Sequence, residues 1–322
     1  MSELTTALIA VIVSVGLVAG IFVGANLIVD RLSDRQQNLW RPVVFVLPAA
    51  LFLTGWLVIP AIRTVYISFF DRRSEEFVGF ENYTWAFTTD SILTVFRNNI
   101  FWLIGVTFFS TAFGLLLAVL ADRMKSERAA KSFIFLPMAV SFVGASVVWR
   151  FVYAFKPAGQ EQIGLLNAIW SGLGGDPVAW LIQEPWNNFF LIIIMIWIQT
   201  GFAMVVLSAA IKGVPTDLLE AARVDGATEV QTFWRITIPS IKGTIAVVAT
   251  TTIILVLKVY DIVKVTTNGN FNTNVIANEM FEQSFRFRET GRGAALASIL
   301  FLAIIPMMIV NVHRFRREEA MR

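Results

Sequence analysis

The sequence predicts an all-α protein that crosses a membrane several times. Of its 322 residues, 56% are hydrophobic and only 15% are charged, whereas soluble domains have about 45–50% apolar and about 25% charged residues. The mean hydropathy is +0.68. Seven stretches are apolar over about 20 residues, the length of helix that a bilayer core of about 30 Å requires. We therefore expect a polytopic membrane protein with about seven transmembrane helices.

The expected spans follow one another along nearly the whole chain. Their approximate bounds are Leu4–Val29, Val43–Phe70, Ile100–Ala121, Phe133–Phe155, Phe189–Ile211, Ile241–Val263 and Ala294–Val312. The first lacks both a basic segment before it and a clear cleavage site before Asp30, so it is interpreted as a spanning helix rather than a signal peptide. With a cytoplasmic linker it forms the predicted appendage 1–40, and residues 41–322 form one membrane domain.

Basic residues predict the orientation, because Lys and Arg concentrate in cytoplasmic loops. They are denser in the loops after the odd-numbered spans than in the alternating loops. The N-terminus is then outside and the C-terminus cytoplasmic, as an odd number of spans requires. The long loop 156–188 is outside, and its Trp170, Trp180 and Trp186 are predicted to anchor the membrane interface.

Composition excludes several kinds of chemistry. With no cysteine and one histidine, His313, the chain offers no thiolate chemistry and no metal cluster. A membrane enzyme would need catalytic side chains grouped at one depth, which the sequence does not offer. The net charge of +3 is explained by cytoplasmic loops rather than by nucleic-acid binding. No Gly-x-x-x-x-Gly-Lys-Ser/Thr loop is present, so ATP must be bound elsewhere.

The loop 212–239, between the fifth and sixth spans, carries the strongest functional signal. Pro215, Thr216 and Asp217 favour the start of a helix, and Gly226 favours its end. A second short helix is expected from about Thr228, with Pro239 stopping it before the next span. Small residues at the elbow between the two helices would let another protein approach closely. An amphipathic loop lying on the membrane is the alternative.

The spacing within this loop resembles that of permease subunits of bacterial ABC importers. Glu220-Ala221-Ala222 is followed by Gly226 and then by Ile236, Ile238 and Pro239. Ile238 stands where the family usually has Leu. The resemblance implies a type I ABC importer transmembrane domain whose loop docks on the nucleotide-binding subunit. The implied contact residues are Glu220, Ala221, Ala222, Asp225, Gly226 and Ala227.

Other segments resemble the carbohydrate, maltose-type branch of these permeases. They include Gly79–Tyr83, Gly164–Asn167 and Thr267–Phe271. Leu257–Val263, taken together with Asn268–Phe271, most resembles permeases of the α-glucoside and glucosylglycerol type. The resemblance covers about residues 40–322.

The resemblance also implies partners and an energy source. These are a dimer of ATP-binding subunits that holds ATP and Mg, a second permease, usually a different chain, and an extracytoplasmic solute-binding protein. This chain would bind no cofactor and no metal itself, and it would lie in a bacterial cytoplasmic membrane.

Polar and aromatic residues within the spans are candidates for the substrate path, because polar groups at membrane depth usually face a cavity or each other. Lys258 and Asp261 are three residues apart and would pair on one helix face. Pro137 would kink the fourth span and expose backbone groups. Ordinary helix or lipid packing is the alternative for each aromatic residue. The candidates are Lys258, Tyr260, Asp261, Trp149, Trp197 and Gln199.

Two other kinds of transporter are alternatives. An ABC permease for a non-sugar solute would carry the same loop. An ion-coupled secondary transporter would need intramembrane carboxylates or matched broken helices, and no half-repeat is visible.

Overall fold

The computed structural model describes the backbone of residues 2–320 and the side chains of residues 5–311 and 313. The side chains of Arg314, Arg316 and Arg317, and all of Arg322, which contribute to the predicted orientation, lie outside the described residues. The chain divides into two compact units, Met1–Tyr66 and Ile67–Arg322.

The first unit is a helical hairpin. It contains α1 (Ser2–Val29), α2 (Asp34–Leu53), a π-helical turn (Thr54–Val58) and most of α3 (Ile59–Ile67). Arg41 forms a 3.0 Å ion pair with Asp30 at the turn. The side-chain amide of Gln37 donates to the carbonyls of Asp30 and Leu32 in the turn that follows α1. These bonds hold the turn against the first residues of α2.

The second unit is also helical, and the described residues of both units contain only an isolated bridge, Phe70–Phe77, outside helices and loops. The all-α prediction is confirmed. The helices are α4 (Glu81–Thr88), α5 (Asp90–Asp122), α6 (Glu127–Phe135), α7 (Phe142–Val152), α8 (Leu165–Gly172), α9 (Asn187–Lys212), α10 (Thr216–Val224), α11 (Glu229–Thr232), α12 (Ile238–Leu257), α13 (Asp261–Thr266), α14 (Ile276–Phe281) and α15 (Thr290–Ala320).

The core of this unit forms around α5 and α9, which run antiparallel. Asn98 contacts Asn188 at one end of the pair, and Asp122 contacts Ser208 at the other. We refer to these as the Asn98 end and the Asp122 end. Between them the backbones approach so closely that a Cβ on Gly114 would lie 2.4 Å from the Cβ of Ala203. Small residues permit such contacts between membrane helices.

The fourth predicted span is sharply bent rather than straight. The segment Glu127–Ala139 meets α7 at 100°. Contacts with α9 decide whether it crosses or re-enters, because they advance along α9 from Lys131–Ser208 to Trp149–Trp197 and Tyr153–Phe190. The bent pair therefore runs from the Asp122 end to the Asn98 end as one broken span. Together with six long apolar helices, it brings the number of candidate spans among the described residues to seven.

The bend lies where the sequence places Pro137. A 3₁₀ turn, Leu136–Ala139, follows α6, and Ser141 caps α7 by accepting a 3.0 Å hydrogen bond from the amide of Gly144. Proline removes a backbone donor and clashes with the carbonyl four residues earlier. The break thus has a local cause in the sequence, although its angle depends on packing against α9.

The sixth span differs from the prediction at both of its ends. The helix runs without interruption from Glu229 to Leu257, so Pro239 does not stop it. A π-helical turn, Phe233–Thr237, precedes the proline, and its wider backbone accommodates the ring. At the other end the helix stops at Leu257 rather than Val263, and Lys258 is its capping residue.

Candidate functional site

The first half of the loop 212–239 folds into the short helix α10, as the sequence predicts. The second predicted helix is not a separate short element, because α11 is the first turn of the long helix that runs on to Leu257. Helix α10 begins at Thr216, directly after Pro215. At its end the amide of Ala227 donates to the carbonyl of Ala222, and that of Gly226 donates to the carbonyl of Arg223. This is a Schellman motif, and it requires a left-handed residue, which Gly226 provides with φ +78°. The elbow is therefore formed by backbone bonds rather than by side-chain packing.

The residues predicted to contact an ATPase lie on one elbow but differ in exposure. Ala222 is buried and Ala227 is half-buried, whereas Glu220, Ala221, Asp225 and Gly226 are exposed. A Cβ on Gly226 would meet nothing within 4 Å. Val224 is 87% exposed. The elbow thus presents small side chains and two carboxylates, with an exposed valine between them.

Between the elbow and the end of α5 is a cavity of about 420 Å³ with both polar and apolar walls. It is lined by the inner face of α10, through Leu219 and Arg223, and by Asp122 and Arg123 at the end of α5. Arg123 also forms a 2.9 Å ion pair with Glu229 at the start of α11. The loop is therefore attached to the helical core, yet it is not packed solidly against it.

An ionic network joins three helices at the Asp122 end. Lys131 lies 2.6 Å from both Asp122 and Glu127, and Ser208 donates a 2.7 Å hydrogen bond to Asp122. Lys212 is paired with Glu127 and lies 3.8 Å from Asp122. Because α5, α6 and α9 each contribute charged or polar groups, the network fixes the relative positions of these helix ends on the core side of the loop. The sequence indicated these lysines only as markers of the cytoplasmic side.

The candidate path residues fall into two separate groups rather than one site. Trp149 and Trp197 meet edge to face with ring centroids 5.8 Å apart, and both line an apolar cavity of about 780 Å³ below the bend. Apart from the two indoles, Thr200 is the only residue of that lining with a polar side chain. Gln199 is buried nearby in α9, and its amide nitrogen has no hydrogen-bond partner among the described residues.

The prediction that Lys258 and Asp261 pair on one helix face is wrong. Their helix ends at Leu257, and Asp261 begins the separate helix α13, so the two residues do not share a helix face. None of the ion pairs between described residues joins them. Lys258 and Tyr260 instead line a second cavity of about 400 Å³ against α14 and α15. Tyr260 also contacts the ring of Phe281, with centroids 5.4 Å apart.

At the Asn98 end, asparagine side chains hold the loop 267–275. Asn98 donates to the carbonyls of Asn272 and Asn274, and Asn187 donates to that of Phe271. Four residues of this loop have positive φ, namely Asn268, Gly269, Phe271 and Asn272. These asparagines were not among the predicted site residues, although two Asn-Asn pairs, each directly before an apolar stretch, were a visible signal in the sequence.

Next to this loop, Glu282 forms a second ionic group. Lys264 lies 2.6 Å and Arg286 lies 2.9 Å from its carboxylate. Burial would by itself raise the pKa of Glu282, but the hydrogen bonds from the two cations outweigh it, so the pKa is lowered. The loop and α14 are thereby held by charge as well as by amides.

Comparison with known proteins identifies the family. Residues 110–318 match the model for the binding-protein-dependent transport system inner membrane component. The chain belongs to this family. It is a permease subunit of an ABC importer, and in such importers a partner ATPase uses the ATP.

Two relatives are similar to this permease over most of its length. The osmoprotective compounds uptake permease protein GgtC of Synechocystis is 57% identical over 87% of this chain and 100% of its own. The alpha-glucoside transport system permease protein AglF of Rhizobium meliloti is 46% identical over 99% of each chain.

A solved structure matches the fold of the permease. It is a bacterial alginate ABC transporter in complex with an alginate pentasaccharide-bound periplasmic protein, with a TM-score of 0.75 and 24% identity. The match covers 89% of this permease and 98% of that chain. The region matched by the family model begins within α5, so it contains the bent span, the loop 212–239 and both ionic groups.

Proposed function

We propose that this permease moves an α-glucoside or a related oligosaccharide across the membrane after a solute-binding protein delivers it. The observation that carries this proposal is the 46% identity to the α-glucoside permease over 99% of both chains. The 57% identity to a permease for osmoprotective compounds is compatible with a solute of this kind. A non-sugar solute is the alternative.

Energy would enter through the elbow of the loop 212–239. The exposed carboxylates of Glu220 and Asp225 would anchor it on the ATPase, while Ala221, Ala222, Gly226 and Ala227 would allow close approach. The exposure of Glu220 and Asp225 and the open space around Gly226 support this assignment. ATP and Mg would be held entirely by the ATPase dimer.

The loop's motion would reach the membrane through two routes. Helices α11 and α12 form one continuous rod with the elbow at its base. The pair Arg123–Glu229 links the same base to α5 and hence to the ionic network. Displacement of the elbow would therefore move the spans together, as rigid-body alternation between inward- and outward-facing states requires.

The substrate path is proposed to pass the side chains of Trp149 and Trp197, since an aromatic face suits the C–H face of a pyranose. Both line the 780 Å³ cavity, whose apolar walls would offer few hydroxyl partners. A second permease, usually a different chain, would complete the path. Gln199, Lys258, Tyr260 and Asp261 remain candidates at separate positions.

The proposed orientation places the Asp122 end in the cytoplasm and the N-terminus outside. Residues 1–40 are proposed as an appendage to the importer domain 41–322. Single cysteines test the orientation directly because the chain has none of its own. We expect a membrane-impermeant thiol reagent to label Gln160→Cys in intact cells. The same reagent should label Glu220→Cys only after the membrane is permeabilised. The reverse pattern would contradict it.

Transport assays test the substrate. The permease is reconstituted with its partner permease, ATPase and binding protein, and uptake of a radiolabelled α-glucoside is measured with and without ATP. A β-glucoside of the same size is the matched control. ATP-dependent uptake of the α-anomer alone is expected, whereas equal uptake of both anomers, or of neither, would overturn the assignment.

A further inference from the structure

Helix α8 has its polar side chains inside and its apolar side chains outside. Its outward face consists of Leu165, Ala168, Ile169 and Gly172, and Leu173, the capping residue after the helix, continues it; all are exposed and none has a hydrogen-bonding side chain. Leu173 is 79% and Leu165 is 59% exposed. Helices of soluble proteins show the opposite arrangement, with the apolar stripe facing the core. Water alone is therefore a poor environment for this face.

The inward face explains why the helix keeps this orientation. Asn167 is fully buried, and its amide nitrogen donates to the carbonyls of Ala154 and Val178 while its oxygen accepts from the amide of Val178. A Cβ on Gly164 would lie 2.1 Å from the carbonyl of Ala154, so α8 starts directly against the end of α7. The helix cannot rotate to hide its leucines without breaking these bonds.

The position of α8 points to lipid. It follows the end of the broken span, and Leu166 and Trp180 beside it pack on the same core as Leu191 near the start of α9. It therefore lies at the Asn98 end, near the level where the spans leave the bilayer. No charged residue occurs from Ile163 to Gly175, so the segment is suited to contact acyl chains rather than headgroup charges.

We propose that α8 is an interfacial helix whose outward face is embedded in the outer leaflet of the bilayer. Lipid covers this face permanently, whereas a binding protein that docks and leaves would expose it to water in every transport cycle. Trp170, half exposed beside the apolar face and edge to face with Trp180, is placed where indoles anchor such helices. The helix then sets the depth of the broken span.

Site-directed spin labelling tests this proposal. Ile169→Cys and Leu173→Cys are labelled in the complete importer in lipid nanodiscs, with the cysteines of the partner subunits replaced. Gln160→Cys, exposed in the preceding loop, is the matched control. Collision with dissolved oxygen is expected to exceed collision with a water-soluble nickel chelate several-fold at 169 and 173, and the reverse is expected at 160.

Three outcomes would overturn the proposal. Nickel accessibility at 169 and 173 equal to that at 160 would place the face in water. Labels immobilised and inaccessible to both reagents would assign it to a permanent protein neighbour such as the second permease. Nickel accessibility that disappears when the binding protein is added would make α8 a docking surface. Because none of these readouts depends on the transported solute, the proposal and the substrate assignment fail independently.

Discussion

The ammonium group of Lys131 lies 2.6 Å from the carboxylate of Asp122, which joins the end of α5 to the first half of the broken span. Both side chains are largely buried, with 19% and 15% exposure. Removing one partner of a buried pair leaves the other charge without compensation. This contact is therefore expected to matter more than the other ion pairs near the loop.

Replacement of Lys131 by Met should lower the stability of the permease. We expect a loss of about 3 kcal/mol, since Asp122 and Glu127 would both lose a bound cation. Arg123→Met removes the exposed Arg123–Glu229 pair and should cost less than about 1 kcal/mol. Thermal unfolding of the purified importer compares the two. Equal losses would show that the network is no stronger than a surface pair.

Substitution of Gly201 by Val should disturb the broken span. A Cβ at this position would lie 2.7 Å from the carbonyl oxygen of Ile134 and 2.9 Å from the Cα of Phe135. The backbone of the bend would have to move, so uptake should fall sharply. Gly213→Ala is the control, because its nearest atom would be 3.4 Å away. Normal uptake by the Val variant would mean that α9 does not position the bend.

Substitution of Gly226 should disrupt ATPase docking. Gly226→Trp places a large ring on the exposed elbow and a non-glycine residue at φ +78°, so the permease should still enter the membrane but fail to co-purify with the ATPase. Gly226→Asn is the control, since asparagine tolerates positive φ. Glu220→Ala should weaken the same association. Full transport-coupled ATPase activity in the Trp variant at normal expression would contradict the docking assignment.

The ionic group at Glu282 should make stability depend on acid. Its pKa is below the ordinary value of 4.5 because of Lys264 and Arg286. A lowered pKa in the folded state stabilises the protein above pH 4.5, and that contribution is lost as the pH falls through the lower value. Glu282→Gln should reduce the unfolding temperature at pH 7 and flatten its fall below pH 4.5. Parallel curves for the two proteins would refute this role.

Much of the fold could be predicted from the sequence, because every helix that crosses a bilayer needs about 20 consecutive apolar residues. The third span is longer than its apolar core, extending from Asp90 to Asp122, since the polar residues at its ends remain helical outside the hydrophobic stretch. Pro137 signalled a break, but not its angle of 100°, which depends on where α9 lies. Pro239 predicted the end of a helix, but the π-helical turn before it accommodates the proline ring and the helix continues.

The site was predictable only where it is local. The elbow at Gly226 follows from neighbouring residues, so its shape is as expected. In the network at the Asp122 end, Ser208 lies 77 positions from Lys131 and 86 positions from Asp122 along the chain. No periodic pattern in the sequence indicates contacts between such distant residues. The prediction that Lys258 pairs with Asp261 was wrong because it extended the sixth helix beyond Leu257, where the helix ends.

The helix that runs without interruption from Glu229 to Leu257 would carry a motion of the elbow over its whole length. Its 29 residues give it a length of about 43 Å at 1.5 Å per residue. Tilting it by about 10° about its base would displace Lys258 sideways by about 7 Å, a distance comparable to the width of a pyranose ring. If the elbow docks on the ATPase as proposed, a modest rotation imposed there would become, through length alone, a displacement of this size at the far end of the helix.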